Sequence, residues 1–140
     1  MSKIVHTNKL GTERKRILRG IVVTLNALTK QSSFTEESWD MVAFIALSLR
    51  KVDATIEQAT VAWEKRGYWI KADRYRLEWE WLSNSQKSLT EAAMEKDIDK
   101  AIQSIVVVSD HLNNIKVSKN HRMGKPWVGA YQVLRKTNNK

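Results

Sequence analysis

Chemistry in a chain of this kind needs titratable or nucleophilic side chains at a fixed spacing, and the candidates are few. The only histidines are His6, His111 and His121. A carboxylate-bridged metal site in a helical protein takes a glutamate three residues ahead of a histidine, so that both ligands leave one helical face. Lys3, Val108 and Ser118 stand at those places instead. Neither His-x-x-x-His nor His-Glu-x-x-His occurs. There is no cysteine, which removes thiolate metal sites and disulfides together. No Gly-x-Ser-x-Gly elbow and no glycine-rich phosphate loop is present. Asp73, Glu78 and Glu80 alternate with basic residues, as on an exposed helical face, and Glu78 stands four residues after Arg74, its expected ion-pair partner. These patterns supply no catalytic residue, metal ligand set, cofactor or small-molecule substrate, and the chain reads as non-enzymatic.

What the sequence does supply is cations beside aromatics. It holds 24 Lys and Arg against 15 Asp and Glu, and six Trp with three Tyr. Residues 1–34 carry seven basic residues and one acid, residues 35–110 carry ten and fourteen, and residues 111–140 carry seven and none. An acidic middle between basic ends suits a polyanionic partner, RNA or single-stranded DNA first; solvated tails are the plain alternative. Arg14, Lys15, Arg16 and Arg19 make the N-terminal cluster. Lys119, Arg122, Lys125, Arg135 and Lys136 make the C-terminal one, interleaved with Trp127 and Tyr131. Basic groups neutralise phosphates while aromatic faces stack on bases, the chemistry of sequence-tolerant single-strand binding. The alternative for Trp127 is a ring folded back on the helices. A membrane surface is the weaker partner, because the tail has few large aliphatic residues to enter lipid.

A second surface is marked by Ile70, Arg74, Leu77 and Trp81. They lie on the side of their helix away from Tyr75 and Trp79, since two residues turn a helix by about 200°. A helix apolar on two sides is either sandwiched or presents a contact face for a protein partner or a second copy.

The elements that position these groups are helices. Val42, Ile45, Leu49, Val52, Ile56, Ala59 and Trp63 recur at gaps of three and four, as do Tyr68, Ala72, Tyr75, Trp79, Leu82, Gln86, Leu89 and Ala93. Each set forms one apolar seam, and Gly67 at the join predicts a long antiparallel hairpin. Thr35 with Glu36 and Glu37 predicts the start of the first arm, with Phe34 and Trp39 as its staple. Ser83-Asn84-Ser85 is the weak place in the second arm. An irregular arm is expected over residues 1–11, then a helix from Glu13, capped by Thr12, to Lys30. Its basic cluster would sit unfavourably against the helix dipole. A last long helix is expected over Ile98 to Lys116 after the cap Asp97, with Ile98, Ile102, Ile105, Val108, Leu112 and Ile115 inward. A short terminal helix is expected around Ala130 to Lys136.

The expected fold is therefore all-α: an antiparallel four-helix bundle with a long central hairpin and a basic C-terminal extension. Residues 1–117 form the bundle domain with its basic N-terminal arm, and residues 118–140 the basic, aromatic-containing segment. The longest apolar run covers nine residues, Met41 to Leu49, where a membrane span needs about twenty. With no secretory leader visible, a cytoplasmic protein is expected. In size, helical content and basic charge the chain resembles, at the level of fold class, the small subunits of CRISPR effector complexes and the bundle accessory proteins of diversity-generating retroelements. That resemblance implies a helical accessory subunit in a nucleoprotein assembly and assigns no residue a role. The functional expectation is nucleic-acid or ribonucleoprotein binding, with a self-associating interaction scaffold as the alternative.

Overall fold

A computed structural model describes residues 2–138, with side chains from residue 9 onward. Met1, Asn139, Lys140 and the side chains of Lys3 and His6 lie outside it. Six helices make up the described chain: α1 Ser2–Thr29, α2 Glu36–Lys65, α3 Trp69–Glu78, α4 Trp81–Glu95, α5 Ile98–His111 and α6 Ala130–Asn138. No strand occurs among the described residues.

The 30 residues of α2 form the axis, and α1, α3, α4 and α6 all pack on it, with α5 laid over α4. Its start is built from four residues. The Thr35 hydroxyl accepts from the Ser38 amide at 3.4 Å, and the Thr35 amide donates to Ser38 Oγ at 2.9 Å. This is a capping box closed by serine rather than by glutamate or glutamine. Phe34 meets Trp39 edge-on with ring centroids 4.6 Å apart, completing the staple. Of the predicted seam, Val42, Ile45, Leu49, Val52, Ile56 and Ala59 are buried, and Trp63 at its end is half-buried. α1 runs antiparallel to α2: Gly20 lies against Phe44, while Arg14 Nε donates to Thr55 Oγ1 at 3.0 Å.

Four expectations change. First, α1 begins at Ser2, so there is no irregular arm and Thr12 is not a cap. The basic cluster at 14–19 lies about three turns inside the helix, where the dipole no longer acts on it. Second, the expected second arm of a hairpin is two helices, α3 and α4: the chain turns at Trp79-Glu80, and Ser83-Asn84-Ser85 lie within α4. Third, α5 stops at His111 and is rotated, so that Ala101, Ser104, Ile105 and Val108 face inward. Ile98 and Ile102, expected inside, are 42% and 49% exposed. The small side chains of Ala101 and Ser104 suit the inward face of a helix packed on a neighbour, here α4. Fourth, the C-terminal segment is docked: Trp127, Ala130 and Leu134 are buried, and α6 lies on α2.

A basic cleft as the candidate functional site

The helical spacing of Thr12, Lys15, Arg16 and Arg19 puts them on one face of α1, spread over about 10 Å of its length. The irregular segment after α5 crosses this face and sets His121, Arg122 and Met123 against it. The result is a cleft of about 480 Å³ lined by those seven residues, four of them cationic and none acidic. The crossing segment is fixed locally: the Asn120 amide donates to Ser118 Oγ at 3.1 Å, and the Met123 amide donates to His121 Nδ1 at 3.2 Å. With Nδ1 accepting, the neutral imidazole carries its proton on Nε2. No carboxylate lies within ion-pair distance of Lys15, Arg16, Arg19 or Arg122 among the described residues. Four cations gathered without acids make a concave surface of positive potential.

The remaining predicted contacts do not join this cleft. Arg14 points the other way: besides its bond to Thr55, its guanidinium lies 5.5 Å from the centre of the Tyr75 ring. It is a structural cation. Lys125 pairs with Glu37 at 3.6 Å. Trp127 is 4% exposed, with Nε1 donating to Glu37 Oε2 at 3.2 Å, so its ring cannot stack on a base without leaving its seat. Tyr131 is half-buried beneath the Lys96 ammonium, 4.0 Å from its ring centre. Lys119, Arg135 and Lys136 are exposed outside the cleft. Thr12, His121 and Met123 belong to the cleft and were not singled out for it by sequence; the 12, 15, 16, 19 spacing was the available signal.

The second predicted surface is partly free. Ile70 and Leu77 are each 70% exposed, and Arg74 is exposed between them. Trp81 sits beyond the turn at Trp79-Glu80 and stacks flat on His111, centroids 4.3 Å apart and 2° from parallel. It closes an aromatic ladder that runs from Trp63 through Tyr75 and Trp79. Burial raises the Tyr75 phenol above its ordinary range, and nearby Glu78 adds to this against the opposing Arg14. Arg74 makes no ion pair with Glu78. Arg76 instead grips Glu64 at 2.7 and 3.0 Å, with Glu57 and Asp73 at 3.8 and 3.9 Å.

Among the described residues no three His, Cys, Asp or Glu gather closely enough to hold a metal ion, and no helix is long and apolar enough to cross a membrane. Comparison of the chain with known protein families, curated sequences and solved structures finds no match. Fold and site thus define an all-α protein with a basic cleft between its first helix and the segment following its fifth.

Proposed function

We propose that the protein is a non-enzymatic, nucleic-acid-binding or ribonucleoprotein-associated accessory protein, a helical bundle centred on α2 that takes phosphates in the basic cleft. One observation carries this reading: Lys15, Arg16 and Arg19 from one basic end and Arg122 from the other line a single cleft with no acid in it. A cleft of this size admits a flexible single strand more readily than a rigid duplex, so RNA or single-stranded DNA is the expected partner. The test is a fluorescence-anisotropy titration of labelled RNA and DNA across salt concentrations. Four phosphates neutralised on a single strand give a slope of log K against log salt of about −3. Absence of binding at low salt, or binding indifferent to salt, overturns the reading.

A second reading, a self-associating scaffold without nucleic acid, is favoured by the exposure of Ile70 and Leu77 on α3. Light scattering separates the two, since it reports chain mass with no nucleic acid present.

A further inference from the structure

Two apolar features lie at opposite ends of α2. Just past its C-terminus the chain turns at Gly67, whose φ of +83° suits a residue without a side chain. The turn projects Tyr68, Trp69 and Ile70 as a corner, 54%, 60% and 70% exposed. Beside the N-terminus of α2, a groove of about 520 Å³ runs between the end of α1 and α5, with Leu28, Phe34, Ile98, Ile102, Ile105 and Val106 as its apolar lining. The 30 residues of α2 span about 45 Å, so the corner cannot fill the groove of its own chain.

The two features also differ in charge. Residues 65–74 around the corner hold Lys65, Arg66, Lys71 and Arg74 against Asp73 alone. Residues 97–110 along the α5 wall of the groove hold Asp97, Asp99 and Asp110 against Lys100, which Glu91 engages, and residues 28–34 along the other wall hold Lys30 alone, so the surround is acidic on balance. Asp110 lines the groove itself, and no lysine or arginine does. A protruding apolar corner with a basic surround thus matches a recessed apolar groove with an acidic one.

We propose that the 68–70 corner of one copy docks into the α1–α5 groove of a second copy. The contact joins unlike surfaces, so a bound pair still carries one unused corner and one unused groove, from which association continues or closes. The proposal deepens the self-association reading by naming both faces of the contact, and it stands independently of nucleic-acid binding.

Sedimentation velocity on the full chain tests it, using wild type, a corner variant (Trp69→Ser with Ile70→Ser), a groove variant (Ile102→Glu) and a mixture of the two variants. All altered side chains are exposed, and helical circular dichroism verifies that each variant folds. The expected result is concentration-dependent association of wild type, loss of association in each variant alone, and a one-to-one pair in the mixture, where an intact corner meets an intact groove. A wild type that stays monomeric overturns both this contact and self-association. A wild type that associates, while either variant still does so alone or the mixture stays monomeric, overturns the corner-in-groove contact and leaves self-association to another face.

Discussion

Asp40, on α2, does the work of a helix cap for α6. Its Oδ1 accepts from the Tyr131 amide at 2.9 Å and its Oδ2 from the Gly129 amide at 3.4 Å, so a carboxylate sits at the positive end of that helix. Asp40→Ala should cost about 1 kcal/mol in urea denaturation, the usual scale for losing a cap, with Asp40→Asn closer to wild type because its amide oxygen still accepts. The pH dependence of stability has an equally local source. The paired hydrogen bonds from Arg76 hold the Glu64 carboxyl below the usual carboxylate range, helped by charge and opposed by partial desolvation. A depressed carboxylate contributes stability that is complete above its unfolded value and lost as pH falls through its folded one. Glu64→Gln should therefore flatten the acid limb of a pH–stability curve and lower stability at pH 7. Asp53 runs the other way: burial, then Glu57, raises its pKa. Asp53→Asn should stabilise the protein at neutral pH, an advantage that disappears toward acid. The partners of Asp40 and Glu64 were not legible in sequence, since these residues meet 129, 131 and 76 only through the fold, whereas Glu57 stands one helical turn after Asp53.

At the scale of elements, what could be read depended on whether the signal was local. The start of α2 was legible because Phe34, Thr35 and Trp39 are neighbours whose roles need no other part of the chain. The start of α1 was not legible because Gly11-Thr12 looks like punctuation, yet the helix runs through it beside a buried Leu10. The turn at Trp79-Glu80 has no glycine, proline or asparagine to announce it. It is tertiary in origin: α3 is held to the far end of α2 through Arg76 and Tyr75, while α4 lies along the rest of it. The Ile98, Ile102, Ile105 spacing was genuinely helical, but spacing does not say which face turns inward. The continuity of α1 makes a prediction of its own. A side-chain carbon at Gly11 meets nothing within 4 Å, and at Gly20 it meets Phe44 at an ordinary 3.6 Å. Gly11→Ala and Gly20→Ala should each raise stability by about 0.5–1 kcal/mol, visible as a higher midpoint in thermal melts.

For the molecule as a whole, the charge partition along the sequence located the basic ends but could not say how they combine. The fold splits the C-terminal cluster: Arg122 joins Lys15, Arg16 and Arg19, whereas Arg135 and Lys136 leave with α6 to the side of α2. This division can be measured. Arg16→Gln and Arg122→Gln should each reduce the salt slope of nucleic-acid binding by about 0.7 on a single strand and weaken all sequences alike. Arg14→Gln and Lys136→Gln should leave that slope unchanged, and Arg14→Gln should lower the melting temperature instead.

Of the ten residues in α3, only Ala72 is buried. The helix is pinned by side chains on one side, Tyr75 on Trp63 and Arg76 on Glu64, between the Gly67 turn and the Trp79-Glu80 turn. Its backbone amides should therefore trade hydrogen for deuterium sooner than those of α2 or α4, as a sub-global opening that leaves the other helices closed. Slowed exchange confined to 68–77 would then register an occupied corner without any label attached to it.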